Sequence, residues 1–219
     1  RMNITKHIVN DFKPLTTQST VKEAIKLCKT FPITHIPIIE NTHYIGSISQ
    51  ADVLTIYDKE ELLKESVAIF EHFQTENKES LLDILKKFAD NETNIIPAVL
   101  NQNYLGYIEL NDILDVFSQT SFLNSEGFTL VLEKNAKDYT MSEVSQIVET
   151  NNGHVLGCYE SKKTSDKVEV TLKISSQEIN EIIQTFRRYN YTVITEHKDD
   201  IYLEELKNRS DYLQKFLNT

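Results

Sequence analysis

His35-Ile-Pro-Ile-Ile-Glu-Asn-Thr-His-Tyr-Ile-Gly-Ser-Ile-Ser-Gln-Ala-Asp52 is the stretch that decides the fold, because it returns sixty positions later as Ile95-Ile-Pro-Ala-Val-Leu-Asn-Gln-Asn-Tyr-Leu-Gly-Tyr-Ile-Glu-Leu-Asn-Asp112. Pro37 matches Pro97, Asn41 matches Asn101, Tyr44 matches Tyr104, Gly46 matches Gly106 and Asp52 matches Asp112. A sequence repeat of this length implies two copies of one supersecondary unit, packed so that each covers the apolar face of the other.

Outward from the repeat, the flanking patterns also match. Thr20 with Glu23, and Ser80 with Asp83, have capping-box spacing. Apolar stripes at helical period follow, through Val21, Ala24, Ile25, Leu27 and Cys28 in the first copy and Leu81, Ile84, Leu85 and Phe88 in the second. Pro32 ends the first helix. Ile36–Ile39 reads as a strand, Asn41-Thr-His43 as a polar turn, Tyr44–Ile48 as a second strand and Asp52–Ile56 as a further helix. With a short strand in front, each copy is β-α-β-β-α. Lys59–Lys64 reads as a charged helical link.

After Phe117 the pattern changes, and Ser118–Gly127 reads as a polar connection. Beyond it the order is β-α-β-β-α-β. Phe128–Glu133 is a strand, Met141–Thr150 a helix with Val144, Ile147 and Val148 inward, and Asn151-Asn-Gly153 a stop with the glycine as left-handed cap. His154–Glu160 is a strand and Lys162–Lys167 a hairpin loop, followed by strict alternation at Val168, Val170, Leu172 and Ile174. A helix capped by Ser175 or Ser176 presents Ile179, Ile182, Ile183 and Phe186, and Tyr191–Thr195 closes the sheet. Ile201–Leu217 reads as an amphipathic helix, through Leu203, Leu206, Leu213, Phe216 and Leu217, that docks on its own domain or pairs across a dimer.

Composition narrows the function. A net charge of −10 disfavours nucleic acid or an anionic membrane as partner, since both require clustered Lys and Arg. Cys28 and Cys158 lie in apolar patterns without metal-ligand spacing and read as buried thiols rather than a disulfide, which suits a cytoplasmic protein. No apolar run is long enough to span a membrane. His7, His35, His43, His72, His154 and His197 show no metal-binding spacing, and five glycines leave no phosphate-cradling loop. No catalytic set assembles, so the expectation is not an enzyme.

His35-Ile-Pro-Ile-Ile with Gly46-Ser-Ile-Ser-Gln-Ala-Asp52, and Ile95-Ile-Pro-Ala-Val with Gly106-Tyr-Ile-Glu-Leu-Asn-Asp112, resemble the CBS-domain motif, and the pair resembles a Bateman module. The following β-α-β-β-α-β segment, with its Asn-Asn-Gly-His-Val turn, resembles an ACT domain, and the whole order resembles the acetoin-utilisation protein B-like layout. The fold class expected is α+β: two CBS units packed as a pair, a ferredoxin-like ACT-type domain and a C-terminal helix. The domains expected are CBS units at 2–58 and 59–119, a linker at 120–127, the ACT-like domain at 128–198 and the helix at 199–219.

The resemblance implies a regulatory protein that needs no cofactor and binds AMP, ATP, S-adenosylmethionine or a related adenosyl ligand in the CBS cleft as a homodimer. A ligand-free assembly protein is the alternative, and the downstream partner is unspecified. One implied site combines Ser49 and Asp52 with Phe73, Asn94 and Ile95; the other combines Glu109 and Asp112 with Lys13, Thr34 and His35. In such sites the aspartate accepts from the ribose hydroxyls, while the Ser or Thr three residues earlier meets phosphate. Glu109 replaces that hydroxyl and would repel phosphate, so the second site is expected to take an uncharged adenosine end or stay empty. Asp52 and Asp112 also suit helix capping without any ligand. In the ACT-like segment the loop Lys134–Tyr139 lacks the usual ligand-site glycine, which favours an assembly role.

Overall fold

Capping and strand pairing build both copies alike. In the computed structural model, which describes residues 4–76 and 79–194, β1 (Leu15–Thr16), α1 (Val21–Thr30), β2 (His35–Glu40), β3 (His43–Ser49) and α2 (Gln50–Thr55) form the first copy. The second consists of α3 (Leu81–Asp90), β4 (Ile95–Leu100), β5 (Asn103–Glu109) and α4 (Leu110–Ser118). Both capping boxes are made: Glu23 and Asp83 accept from the backbone N–H of Thr20 and Ser80 while donating their own to those hydroxyls. The five strands lie in the order β1-β2-β3-β5-β4.

The repeat extends to backbone detail. His35 pairs with Ser49 and Ile95 with Glu109, and the register slips at Ile38/Ile39 and again at Ala98/Val99. Asn41 (φ 57°) and Asn101 (φ 50°) take the left-handed turn position, which asparagine tolerates. The parallel β1–β2 pairing, Leu15 with Ile38, is reduced in the second copy to a single bridge between Thr75 and Ala98. Where the copies meet, His43 pairs with Asn103, Tyr44 N–H donates to Gln102 O and Tyr104 N–H to Thr42 O.

The segment leading into each copy is stitched onto the other. Val9 bridges Tyr107 on β5, and Glu71 bridges Ser47 on β3. Gly106 and Gly46 lie under these crossings: a Cβ on Gly106 would sit 2.6 Å from both Ile8 Cγ2 and Val9 O. Ile36, Ile38, Ile48 and Val53 centre one core cluster, and Ile84, Phe88, Ile96, Ile108 and Ile113 the other.

Two expectations fail here for backbone reasons. Lys59–Lys64 is not a helix: Lys59 O and Glu61 O accept from Lys22 and Val21 N–H at the start of α1, and a 3-10 helix follows at Leu63–Ile69. The free N–H groups of a helix start thus claim the link's carbonyls. Asp52 does not open α2; Ser49 is the N-cap and Asp52 stands in the first turn.

The chain divides after Ser118. The second unit holds α5 (Ser121–Asn124), which lies inside the stretch read as a polar connection, then β6 (Phe128–Asn135), α6 (Met141–Thr150), β7 (His154–Lys163), β8 (Lys167–Ser175), α7 (Ile179–Arg188) and β9 (Thr192–Val193). The sheet is ordered β7-β8-β6-β9 with every pairing antiparallel. Leu130, Leu132, Leu172 and Ile174 pack against Val144, Ile147 and Val148 of α6 and Ile182, Ile183 and Phe186 of α7.

Three local readings change in this unit. Asn152, not Gly153, takes the left-handed conformation (φ 58°). Gly153 is required by space, since a Cβ would meet Ile182 Cδ1 at 2.7 Å and Val148 Cγ1 at 2.8 Å. The hairpin loop shrinks to 164–166, where the Thr164 hydroxyl accepts from Lys167 N–H at 3.0 Å. Neither Ser175 nor Ser176 caps α7; its N-cap is Glu178, and the Ser176 hydroxyl accepts from Glu178 N–H. The helix expected at 199–219, Thr195 and His197 lie outside the described residues.

Candidate ligand clefts

Antiparallel pairing places the first residue of each β-hairpin opposite its last. Thr34 O accepts from Gln50 N–H at 2.7 Å, and Asn94 O from Leu110 N–H at 3.0 Å, so each strand start is tied to its own copy's helix start. Thr34 and Asn94 then bond to each other across the copies. Thr34 N–H donates to Asn94 Oδ1 (2.9 Å), Asn94 N–H donates to Thr34 Oγ1 (3.0 Å), and Asn94 Nδ2 donates to Pro32 O (2.6 Å).

A cleft lies on each side of this junction. The first, ≈ 460 Å³, is lined by Thr34, His35 and Ser49 from the first copy, Glu71 from the crossing lead-in, and Asp90 and Glu92 from the end of α3. That volume falls within the range of small-molecule sites, about 300–1,000 Å³. The second, ≈ 100 Å³ and lined by Ile33, Asn94, Ile95 and Glu109, falls below it.

The grouping therefore differs from the one the resemblance implies. Ser49 lines the first cleft with His35 and Thr34 of its own copy, Asp52 lines neither cleft and adjoins the first only through its bond to Ser49, and Asn94 and Ile95 go with Glu109. Phe73 remains with the first group: it is 6% exposed and meets the His35 ring edge-on, centroids 5.2 Å apart. Lys13 is exposed and lines neither cleft; Asp112 is half-buried in the first turn of α4 and lines neither. Glu71, Asp90 and Glu92 were missed, because the lead-in crossing that brings Glu71 here has no counterpart in the sequence repeat.

Ser49 and Asp52 satisfy each other: the hydroxyl accepts from Asp52 N–H at 3.0 Å and donates to Oδ2 at 2.7 Å. His35 is 5% exposed, with Nε2 3.3 Å from Glu71 Oε1 and Nδ1 2.9 Å from Thr34 Oγ1. Among the described residues no Lys or Arg lines the first cleft, although Lys86 pairs with Asp90 at 2.6 Å. Three carboxylates thus face any ligand there. Beside the second cleft, burial and the charges of Asp112 and Asp11 push the Glu109 carboxyl up.

Tyr44 and Tyr104 reveal a further asymmetry. Tyr44 Oη lies 2.9 Å from both Ser47 Oγ and Phe73 O, whereas buried Tyr104 Oη has no hydrogen-bond partner among the described residues, its copy carrying Tyr107 in place of Ser47. In the second unit, Lys134 pairs with Glu143 and stands 4.3 Å over the Tyr191 ring, and Tyr191 Oη donates to Glu143 at 2.8 Å. Lys134, at the end of β6 where the loop begins, is therefore tied to α6 and to Tyr191. Among the described residues no three His, Cys, Asp or Glu gather as metal ligands, and no helix is long and apolar enough to cross a membrane.

Residues 5–59 match the family model of the CBS domain. No curated protein matches the chain. A CBS domain pair/ACT domain protein from Thermotoga maritima is similar at 18% identity and a TM-score of 0.47, over 53% of this chain and 96% of that one. The CBS domains of a transcriptional regulator from Streptococcus pneumoniae are similar at 15% identity and a TM-score of 0.46, over 52% of this chain and 98% of that one. Motif, register and family match agree: residues 5–59 are a CBS domain, and the strands of the second copy repeat its register.

Proposed function

We propose that this chain is a non-catalytic regulatory protein whose first cleft takes an adenosyl ligand. The ≈ 460 Å³ cleft beside the Ser49–Asp52 pair is the observation that supports this reading. Asp52 accepts from Ser49 through Oδ2 and retains Oδ1 as an acceptor for a ribose hydroxyl. Glu71, Asp90 and Glu92 weigh against polyphosphate, so adenosine, AMP or the cationic S-adenosylmethionine fits better than ATP. The ≈ 100 Å³ second cleft acts as a wall. A ligand touching both copies stabilises one arrangement of the pair, and acts only through its differential affinity for the two states.

The second unit is read as an ACT-type assembly module, supported by its β-α-β-β-α-β order, in a cytoplasmic homodimer. Leu54 on α2 and Leu114 on α4, exposed and sixty positions apart, support self-association through equivalent helix faces. These leucines, and the mutual satisfaction of Ser49 and Asp52, also favour the second reading: an assembly protein without a ligand.

Thermal unfolding of the full chain with adenosine, AMP, ATP and S-adenosylmethionine separates the two. A ligand at a hundred times its Kd stabilises the native state by about 2.7 kcal/mol. A clear rise in midpoint, smallest with ATP, is expected; no rise with any of the four at millimolar concentration leaves only the assembly reading.

A further inference from the structure

We infer that His35 is a proton-operated tie between the two copies: protonating its ring turns the Thr34 hydroxyl and adds a hydrogen bond from Thr34 to Asn94. The inference concerns the protein without ligand and stands or falls independently of the adenosyl reading.

His35 is buried, 5% exposed, and its two ring nitrogens face different parts of the chain: Nε2 is 3.3 Å from Glu71 Oε1 and Nδ1 is 2.9 Å from Thr34 Oγ1. Thr34 Oγ1 already accepts from Asn94 N–H and has one proton to give. The Asn94 amide is oriented by its Nδ2 donation to Pro32 O, so Oδ1 is the atom beside Thr34, 3.0 Å from the hydroxyl. Thr93 Oγ1, at 3.3 Å, is the weaker acceptor and spends its own proton on Ile95 O at 2.7 Å. Two good acceptors, His35 Nδ1 and Asn94 Oδ1, therefore compete for one hydroxyl proton.

The ring's charge decides the competition. A neutral ring with its hydrogen on Nε2 donates to Glu71, and its bare Nδ1 takes the Thr34 proton from Asn94. The other neutral tautomer turns a lone pair on the Glu71 carboxylate, an unfavourable contact. In the protonated ring both nitrogens donate, to Glu71 and to Thr34, and the freed hydroxyl donates across to Asn94 Oδ1. Asn94 Oδ1 accepts from Thr34 N–H in either state, at 2.9 Å, and gains the hydroxyl as a second donor only when the ring is protonated. Among the described residues, the charged groups lining the cleft beside the ring are acidic: Glu71 in contact, and Asp90 and Glu92. The second copy has Ile95 at the equivalent position, so the device exists once in the pair.

The tie joins the copies and walls the first cleft at the same time. One proton then adds a bond to the three that already hold the junction and changes the charge of the cleft lining. An unperturbed histidine changes charge between about pH 5 and 8, so the test spans that range.

A pH series of two-dimensional NMR spectra on the full chain, following the His35 ring and the Thr34 and Asn94 backbone and side-chain signals, tests the relay. In the native protein, Asn94 is expected to follow the His35 ring with one shared midpoint. Thr34→Val, which removes the hydroxyl, should leave the ring titrating and abolish the Asn94 response, and Thr34→Ser should restore it. The inference is overturned if Asn94 is silent while His35 titrates in the native protein, if Asn94 still follows in Thr34→Val, or if the folded protein shows no His35 titration between pH 5 and 8.

Discussion

Gly106→Ala tests the crossed lead-ins, with Gly46→Ala as its internal comparison. At Gly106 (φ +139°) an added Cβ meets Ile8 Cγ2 and Val9 O at 2.6 Å and Asn10 Nδ2 at 2.8 Å. Holding an L-residue in that backbone region costs about 1–3 kcal/mol. The Val9 carbonyl cannot stay, and it belongs to a bridge in which Val9 and Tyr107 exchange hydrogen bonds of 2.9 and 3.1 Å. Each such bond contributes about 1 kcal/mol, so the total for Gly106→Ala is roughly 3–5 kcal/mol. At Gly46 (φ +146°) the nearest atoms are Phe70 Cβ at 3.0 Å and His72 Cε1 at 3.2 Å, which need only give by a few tenths of an ångström. The cost there is set by backbone conformation alone, about 1–3 kcal/mol. Native-state hydrogen exchange locates the damage. In Gly106→Ala the Tyr107 amide, which donates to Val9 O, should lose protection while the Ser47 amide, which donates to Glu71 O, keeps it. Equal loss at both amides, or a Gly106→Ala protein no less stable than Gly46→Ala, would refute the crossing as a local clamp.

Tyr44→Phe should cost about 1–2 kcal/mol by stranding Ser47 Oγ and Phe73 O, whereas Tyr104→Phe should be neutral or stabilising because its buried hydroxyl has no partner among the described residues; thermal midpoints of the two variants decide. Burial raises the Glu143 carboxyl, but hydrogen bonds from Lys134 and Tyr191 and the Lys134 charge outweigh it and hold the group below its usual range. A carboxyl depressed on folding stabilises above its unfolded pKa of about 4.3 and gives that up as pH falls through the folded value. The stability gap between the native chain and Glu143→Gln, measured by urea denaturation, should therefore be full above about pH 5 and narrow below about pH 4. Burial pushes the Cys158 thiol up to about 11 and raises that of Cys28, so a thiol-reactive chromophore at pH 7 should label both slowly in the folded chain and rapidly in denaturant.

The sequence made the local structure legible and left the long-range crossings hidden. Both capping boxes, the alternation along β8 and the paired Asn41 and Asn101 turns are short-range devices, and each is in place. The link at Lys59–Lys64 departs from its helical composition because bonds to α1, about forty residues earlier in the chain, override it. The candidate site was legible as a set of residues but not as a grouping: Thr34, His35, Ser49, Asn94, Ile95 and Glu109 all line one cleft or the other. Their partition follows from the His35–Ser49 and Ile95–Glu109 pairings, and Glu71 enters only through a lead-in that shares no motif with its counterpart. Glu109 against Ser49 foretold unequal sites; the acidic lining of the larger one did not show until Asp90 and Glu92 were brought beside it.

The central claim is that one cleft of the pair, the one beside Asp52, is the ligand site. Calorimetric titration of adenosine and of S-adenosylmethionine into the full chain, into Asp52→Ala and into Asp112→Ala tests it most directly. The account predicts one ligand per chain, with affinity lost at least tenfold, about 1.4 kcal/mol, in Asp52→Ala and kept in Asp112→Ala. Two ligands per chain, equal losses in the two variants, or no heat of binding from either ligand would contradict it.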